Sequence, residues 1–200
     1  MTAAVLKEQR ANSKSRERTV TIAFGPIPSR RLGHSLGINN IPPKSCSYSC
    51  VYCQVGATEK PQIERRIYFT PDEIFDAVHA RLNKVREAGG AVDYLTFVPD
   101  GEPTLDVNLG KSIERLKTLD IPIAVITNAT LLWREDVRAA LGAADWVSVK
   151  VDTVDEGIWR QLNRPFQALS LARVLAGIRD FVGEFTGEVV SETMLPVSYT

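Results

Sequence analysis

The chain has 200 residues, of which 44% are hydrophobic and 24% are charged, and both are ordinary for one globular domain with a sizeable core. Lys plus Arg equals Asp plus Glu at 24 each, so the formal net charge is zero. This balance excludes a global electrostatic attraction to nucleic acid, a membrane surface or an acidic partner, and it leaves room only for a local basic patch.

The first 19 residues are predicted to form a flexible tail. They are polar and somewhat basic, and they lack the apolar segment of a signal peptide. Further along, no apolar run approaches the ~18–20 residues that span a bilayer. The three cysteines of the chain are clustered, and an odd number of them without a secretory signal argues against a disulfide framework. The sequence therefore predicts a cytoplasmic chain with reduced thiols and no membrane partner.

From residue 20 onward, the sequence predicts strands that alternate with helices. The first strand, 35–39, is followed by a loop that contains all three cysteines. A helix then begins at Thr70, because Thr70 is a good cap, Pro71 fits the first helical position and Glu73 completes a capping box. The two glycines at 89–90 end this helix.

Four more strands follow, separated by helices. The strands are predicted at 92–98, 121–127, 145–152 and 187–195, and the main helices lie around 109–119, 133–141 and 171–181. This alternation, with largely apolar strands, indicates an α/β fold in which helices cover a parallel sheet. An open doubly wound sheet and a barrel-like sheet are both compatible with the pattern, whereas the length excludes a full eight-unit barrel.

Unusual polar groups lie at or just past the carboxyl end of each predicted strand. They are the cysteine loop and the segments DGEPT, TNAT, KVDT and SET. In parallel α/β folds, ligands bind at this edge of the sheet. We therefore expect five strand ends to converge on one site.

Cys46, Cys50 and Cys53 are the candidate metal ligands, and four interpretations compete for them. A structural zinc site normally has four protein ligands, so the fourth would have to be His34, His79 or a carboxylate. Buried inert cysteines are disfavoured by the polar residues around them. A thiol–disulfide site would use the last two cysteines and leave the first unexplained.

The fourth interpretation is an iron–sulfur cluster that is held by only three thiolates. Such clusters are ordinarily bound by four cysteines. A [4Fe–4S] cluster with three protein ligands has one open iron, and open metal positions are typical of catalytic sites. The missing fourth cysteine therefore itself indicates that a small molecule completes the coordination.

The motif Cys46-SYS-Cys50-VY-Cys53, with an aromatic residue before the last cysteine, resembles the radical S-adenosylmethionine (SAM) superfamily. The segment FGPIPSRRLGHSLGINNIPPKSCSYSCVYCQVG is similar to a branch of uncharacterised Fe–S oxidoreductases near the wyosine-type tRNA-modifying enzymes. This resemblance implies that residues 20–200 form a partial (βα) barrel of about five to six parallel strands with helices outside. It also implies that the three cysteines bind a [4Fe–4S] cluster, whose open iron is chelated by the amino and carboxylate groups of SAM.

The resemblance further implies which residues position SAM. Tyr52 precedes the last cysteine, and the segment Gly101, Glu102 and Pro103 matches a glycine-rich element that binds the SAM amino group in the family. A carboxylate that faces an ammonium, with a glycine that permits close approach, makes physical sense of this match.

Polar residues at the ends of later strands are further candidates for binding SAM. Period-two alternation places Lys150 and Asp152 on one face of their strand, and the resemblance implies that they bind the ribose and carboxylate of SAM. Asn128, after the third strand, is another candidate, as are Ser191 and Glu192 on the last strand, 187–195.

Two other polar positions are given structural interpretations. His34 is isolated, and an isolated histidine is more often part of the structure than a ligand. The run Asn163-Arg164-Pro165 could approach an anionic substrate or end a helix, and the helix end is preferred because the residue before a proline disfavours the helical conformation.

The resemblance implies a reaction and its partners. A low-potential donor of the flavodoxin or ferredoxin type reduces the cluster, one electron cleaves SAM, and the 5′-deoxyadenosyl radical abstracts hydrogen from an unknown substrate. RNA is a candidate substrate, although wyosine-type enzymes carry additional cysteines that this chain does not have. The alternative is a non-catalytic iron–sulfur or zinc protein that senses redox state. Because the family usually continues with a sixth strand, we expect the carboxyl-terminal part to be either naturally short or truncated.

Overall fold

The computed structural model describes residues 21–195 and contains one six-stranded sheet with helices packed on one face. The strands are β1 (Ala23–Ser29), β2 (Gly33–Ile38), β3 (Tyr94–Phe97), β4 (Ile123–Thr127), β5 (Trp146–Lys150) and β6 (Glu188–Glu192). β1 runs antiparallel to β2, and the strands from β2 to β6 are parallel. The predicted flexible tail, 1–19, lies outside the described residues.

The strand order decides between the two sheets that the sequence allows. A doubly wound sheet reverses its strand order at a switch point, whereas in this sheet every strand pairs with its neighbour in the chain. The fold is therefore a partial (βα) barrel with five parallel strands and helices outside, which confirms the predicted α/β class. Each of the five predicted strands overlaps one of the strands from β2 to β6.

The sequence does not predict β1, because its residues AFGPIPS include two prolines and a glycine. Proline cannot donate a hydrogen bond to a neighbouring strand, so it argues against a position inside a sheet. β1 accommodates both prolines because it lies at the edge of the sheet and its register shifts between Phe24 and Ile27. The mixed sheet thus carries one antiparallel edge strand that the strand–helix pattern does not indicate.

Within residues 21–195, five α-helices connect or flank the parallel strands. They are α1 (Pro71–Glu87), α2 (Leu109–Leu116), α3 (Glu135–Leu141), α4 (Glu156–Leu162) and α5 (Leu171–Glu184). α1 begins with the predicted capping box: Thr70 Oγ1 accepts from Glu73 N at 3.2 Å, and the Glu73 carboxylate accepts from Thr70 N at 2.7 Å. Among residues 21–195, every helix falls short of the length or the apolar character that crossing a membrane requires.

The alternation of side chains along the strands gives the sheet two different faces. The face toward the helices is apolar and fully buried, and it includes Leu36, Ile38, Leu95, Phe97, Ile123, Val125, Val147 and Val149. The opposite, concave face is mixed, because it carries hydroxyl side chains beside apolar ones such as Trp146. On it, the hydroxyls of Ser35 and Thr96 are hydrogen-bonded at 2.6 Å, and Ser148 is buried nearby on β5. The same two-residue period therefore builds the core on one side and leaves both polar and apolar groups on the concave side.

The turn between β1 and β2 reaches across the concave face to the far side of the sheet. Leu32 in this turn is buried against Ala124 of β4 and Trp146 of β5. Next to it, Arg31 Nη1 lies 2.6 Å from Glu192 Oε1 at the end of β6. The first hairpin is therefore attached to the last strands of the sheet.

Candidate metal centre

The cysteine loop follows β2 and lies along the carboxyl edge of the sheet, next to the loop that follows β3. Two backbone hydrogen bonds join the loops: Lys44 N donates to Asp100 O at 2.8 Å, and Glu102 N donates to Ser45 O at 2.9 Å. A Cβ atom at Gly101 would collide with the carbonyl oxygen of Ser45. Gly101 is predicted to let backbone come close, and in the structure the backbone that comes close is that of the cysteine loop.

The other side of the cysteine loop is attached to the segment that follows α4. Val51 N donates to Leu162 O at 2.9 Å, and Ser49 N donates to Asn163 O at 3.0 Å. Phe166 N donates in return to Ser47 O at 2.9 Å. The loop is therefore held between two segments that lie far apart in the chain.

An aromatic pair anchors the middle of the cysteine loop. Tyr48 is buried against Trp159 of α4, with the ring centroids 5.9 Å apart in an edge-to-face arrangement. Trp159 Nε1 donates a hydrogen bond to Tyr48 Oη at 2.7 Å. Burial raises the pKa of Tyr48 above its usual range, so its hydroxyl stays protonated. The pair fixes the loop without using any of the three thiols.

The three cysteines are free and half-buried, and two of them accept hydrogen bonds from asparagine amides. Asn128 Nδ2 lies 3.6 Å from Cys46 Sγ, and Asn163 Nδ2 lies 3.5 Å from Cys50 Sγ. Burial, assisted by the charge of Glu102, raises the pKa of Cys46 to about 12. Burial also raises the pKa of Cys50, and the hydrogen bonds from Asn163 and Tyr52 oppose this rise. Without a metal, these thiols are therefore protonated. A bound metal reverses this, because a thiol that coordinates a metal is deprotonated.

Asp152 lies at the centre of a polar network beside Cys50. Its side chain is 0% exposed, and Tyr52 Oη and Asn163 Nδ2 both donate to Oδ2, the latter at 2.6 Å. Met194 N donates to Oδ1 at 2.8 Å, and Lys150 Nζ lies 3.4 Å from the same oxygen. Burial acts to raise the pKa of Asp152, but the hydrogen bonds from Tyr52 and Asn163 hold it below its usual value.

The network also fixes Tyr52 and Lys150 relative to each other. Lys150 Nζ lies 5.1 Å from the centre of the Tyr52 ring, close enough for a cation–π contact, and its side chain is 23% exposed. Burial, with the hydrogen bond to Asp152, raises the pKa of Tyr52, so its hydroxyl is a donor. These two predicted SAM-binding residues thus form one surface, and Asp152 holds Tyr52 in place.

Glu102 is 1% exposed, and its carboxylate is hydrogen-bonded to the end of β4. Oε1 accepts from Thr127 Oγ1 at 2.6 Å and from Thr104 N at 3.0 Å, and Oε2 accepts from Asn128 N at 2.7 Å. Burial raises the pKa of Glu102, and these hydrogen bonds oppose the rise. Pro103 begins the short 3₁₀ turn Pro103–Leu105 that follows. In the structure, then, Glu102 joins two strand ends, and its contact with the SAM amino group stays a prediction.

The predicted site residues form one connected group at the carboxyl edge of the sheet, with two exceptions. Glu192 pairs with Arg31, and Ser191 is exposed on β6. His34 lies at the opposite edge, where its backbone N donates to Asp93 Oδ2 at 2.6 Å. The structural interpretation of His34 agrees with this position.

Asn163 contacts the site, although the sequence favours interpreting it as the end of a helix. It follows α4, as predicted for a helix end, but its side chain bonds to Cys50, Tyr52 and Asp152. Asparagine is common at helix ends, so no sequence signal distinguishes it. Its contacts depend on the return of this segment to the cysteine loop.

The donor set fits a cluster that is bound by three thiolates. Within residues 21–195, no group of three or more Cys, His, Asp or Glu side chains is arranged around a single metal-ion position. Lys44 Nζ is buried beside Gly56 and has no hydrogen-bond partner among the described residues. A buried ammonium without an acceptor is unfavourable, and an anionic group bound at this loop would supply one.

Comparison with known sequences agrees with this geometry. The sequence profile of the radical SAM superfamily matches residues 40–196. A UPF0026 protein of Methanocaldococcus jannaschii is 55% identical over 183 residues, which cover 90% of this chain and 56% of that protein. A UPF0026 protein of Synechocystis is 39% identical over 183 residues, 88% of this chain and 65% of that protein. The chain therefore spans less than two thirds of the length of these relatives.

Comparison with solved structures shows the same fold. TYW1 with a lysine–pyruvate adduct bound has a TM-score of 0.56 at 12% identity, covering 96% of this chain and 71% of that one. SuiB of Streptococcus suis bound to S-adenosylmethionine has a TM-score of 0.53 at 17% identity, covering 76% of this chain and 32% of that one. The profile match, which spans more than half of the chain, places it in the radical SAM superfamily, whose members use a [4Fe–4S] cluster and SAM.

Proposed function

We propose that this radical SAM protein binds a [4Fe–4S] cluster through Cys46, Cys50 and Cys53, cleaves SAM reductively and abstracts hydrogen from a substrate. The observation that carries the proposal is that three free thiols lie on one loop at the carboxyl edge of a parallel sheet, beside Tyr52 and Lys150. When bound, the cluster and SAM supply the chemistry, in which one electron breaks the C5′–S bond and yields 5′-deoxyadenosine after hydrogen transfer. An external donor of the flavodoxin or ferredoxin type belongs to this proposal.

The residues around the thiols prepare the loop for an anionic ligand. Lys44 supplies a buried positive charge, and Asn128 and Asn163 donate hydrogen bonds to two of the sulfurs. Hydrogen bonds to charged acceptors are stronger than those between neutral groups. These donors therefore favour the thiolates over the protonated thiols when a metal is bound.

SAM is proposed to lie between the surface formed by Tyr52 and Lys150 and the loop at Gly101–Pro103. Tyr52 cannot turn away, because its hydroxyl is bound to the buried Asp152. The ammonium group of Lys150 is partly exposed on this surface, and it can form an ion pair with the carboxylate of SAM. Glu102 provides the negative charge that the SAM amino group needs on the other side.

The concave face of the sheet is the proposed substrate surface. It carries the hydrogen-bonded hydroxyls of Ser35 and Thr96 and the buried hydroxyl of Ser148, which has no hydrogen-bond partner in the part of the chain that the structure describes. These groups favour a polar substrate that offers its own donors or acceptors. RNA stays one candidate for this substrate.

Production of 5′-deoxyadenosine tests the proposed function. The chain is reconstituted anaerobically with iron and sulfide, reduced with flavodoxin or dithionite, and incubated with SAM while 5′-deoxyadenosine is quantified. We expect product from the wild type, no product from Cys50→Ala, and wild-type product from His34→Ala, which lies at the opposite edge of the sheet. A wild-type chain that holds the cluster without forming product would instead be a non-catalytic iron–sulfur protein. A colourless chain with stoichiometric zinc would overturn the proposal.

A further inference from the structure

We infer that Asn163 acts on the metal centre through Cys50, and that the hydrogen bond from its side-chain amide raises the reduction potential of the cluster. The inference rests on the proposed function, because it concerns the same three thiolates. Asn163 follows α4 and is not part of the cysteine motif. It is therefore a positioning residue that the motif does not reveal.

The geometry leaves the Asn163 amide little freedom. Its Nδ2 lies 2.6 Å from Asp152 Oδ2, 2.9 Å from Tyr52 Oη and 3.5 Å from Cys50 Sγ. One of the two amide hydrogens is directed at Asp152, which is the closest acceptor. Because Tyr52 donates its own hydrogen to Asp152, the second amide hydrogen of Asn163 is available to Tyr52 Oη and Cys50 Sγ.

The backbone of Asn163 keeps this amide next to the sulfur. Asn163 N donates to Trp159 O at 2.8 Å, which continues the hydrogen-bond pattern of α4. Asn163 O accepts from Ser49 N at 3.0 Å, so the residue is bonded directly to the position before Cys50. A loss of the contact would require either the helix end or the cysteine loop to move.

Burial makes the bond from Asn163 to the sulfur effective. Asn163 is 1% exposed, so water does not compete for its amide hydrogens. Reduction potentials of iron–sulfur clusters depend on hydrogen bonds to the sulfurs and on exposure to solvent. Reduction adds one negative charge, and an N–H donor stabilises the more negative state. Removing the amide should therefore lower the reduction potential.

Asn128 provides a second bond of the same kind from a different part of the fold. Its Nδ2 lies 3.6 Å from Cys46 Sγ and 2.9 Å from Ser47 Oγ, and its Oδ1 accepts from Thr130 N at 3.1 Å. Asn128 follows β4, whereas Asn163 follows α4. Two segments outside the cysteine motif thus each donate to one cysteine.

A redox titration of the reconstituted full chain tests the inference. Asn163→Leu keeps the approximate volume of the side chain but removes the amide. For this variant we expect the reduction potential of the cluster to fall by about 59 mV, which corresponds to a tenfold change in the one-electron equilibrium constant. Asn163→Ala should also lower the reduction potential, and it serves as the test variant if Asn163→Leu does not fold. Asn108→Leu is the matched control, because Asn108 is buried and its Nδ2 donates to Phe69 O, away from the cysteines.

The outcomes separate this inference from the proposed function. An unchanged or higher potential in both Asn163 variants would overturn the inference and leave the proposed function intact. A fall of equal size in Asn108→Leu would also overturn it, because the effect would then not depend on the bond to Cys50. A wild-type chain that takes up no iron–sulfur cluster would instead overturn the proposed function. The electron paramagnetic resonance spectrum of the reduced cluster, measured alongside, reports its environment independently of SAM cleavage.

Discussion

Gly101 and Ser45 are in such close contact that a side chain at position 101 would occupy the place of the Ser45 carbonyl oxygen. The contact continues in the hydrogen bond from Glu102 N to Ser45 O at 2.9 Å. The position one residue before the first cysteine is therefore set by the loop after β3. A substitution at Gly101 should therefore alter the geometry of the metal centre, although it contacts none of the three thiols.

For Gly101→Ala, we expect a lower free energy of unfolding and a loss of cluster uptake. The added methyl group meets backbone atoms, which cannot rotate away, and overpacking of this kind costs about 1–3 kcal/mol. Denaturant unfolding of the apo chain and the iron content after reconstitution measure the two effects. Gly183→Ala near the end of α5 is the control, because no atom lies within 4 Å of its added Cβ, and it should stay within about 1 kcal/mol of wild type. Normal iron content in Gly101→Ala would contradict this account.

Lys44→Met should affect the apo chain and the cluster-bound chain in opposite directions. The substitution removes a buried ammonium that has no hydrogen-bond partner among residues 21–195, so the apo chain should be at least as stable as wild type. Affinity for the cluster should fall by about 10–100-fold, as for other groups that support metal ligands. Urea unfolding of the apo chain and competition with an iron chelator measure the two quantities.

Lys84→Met serves as the control for Lys44, because Lys84 is exposed in the last turn of α1. It should change neither the stability of the apo chain nor the affinity for the cluster. If Lys44→Met instead destabilises the apo chain and leaves cluster affinity unchanged, Lys44 has a purely structural function.

The stability of the chain should depend on the protonation of Asp106. This residue is fully buried, its Oδ1 accepts from Asn108 N at 2.9 Å, and its Oδ2 accepts from Asn40 Nδ2 at 3.2 Å. Burial raises its pKa from 3.8 to about 6, against the hydrogen bonds and the charge of Arg65. Because the pKa is higher in the folded state, the folded chain binds this proton more tightly. The stabilisation is full below pH 3.8 and is lost as pH rises through about 6.

Asp106→Asn should remove this contribution to the pH dependence. Between pH 4 and pH 7, the variant's free energy of unfolding should vary with pH by up to about 3 kcal/mol less than that of wild type. Urea unfolding at several pH values measures the slope. Asp76→Asn, an exposed change on α1, should leave the slope as in wild type. Equal slopes for wild type and Asp106→Asn would show that the carboxyl group does not titrate in this range.

The hairpin turn should be held to the concave face by Leu32 rather than by its neighbouring ion pair. Leu32→Ala removes a side chain buried against Ala124 and Trp146 and should cost about 2–5 kcal/mol. Arg31→Ala breaks a partly exposed pair with Glu192 and should cost at most about 1 kcal/mol, and less at high salt. Denaturant unfolding at two salt concentrations compares the free energies of unfolding of the two variants. A larger loss of stability in Arg31→Ala than in Leu32→Ala would contradict this prediction.

The sequence predicts the parallel sheet because apolar strands and amphipathic helices alternate, and because the cap at Thr70 and the glycines after α1 mark one helix clearly. It also predicts that polar strand ends meet at one edge, since that follows from parallel topology. β1 could not be predicted, because its prolines fit only into an edge strand with a shifted register. Which strand lies at the edge depends on the whole sheet and not on the local sequence.

The side-chain contacts within the site could not be predicted from the sequence. Glu102 appears in its motif as a ligand for an ammonium, but its oxygens bond to Thr104, Thr127 and Asn128. Asn163 reaches Cys50 across 113 positions of the chain. Such contacts depend on how β4 and α4 pack beside the cysteine loop, and local sequence patterns carry no information about that packing.

The attachment of the cysteine loop to both Glu102 and the segment after α4 constrains the order in which the protein assembles. The loop comes early in the chain, but Leu162, Asn163 and Phe166, which bond to its backbone, come more than a hundred positions later. Forming such long-range contacts requires the closure of a large loop, which slows folding. During synthesis, the three thiols emerge well before the segment that shapes their loop. The loop can therefore take the shape that the structure shows only after α4 has been synthesised and packed.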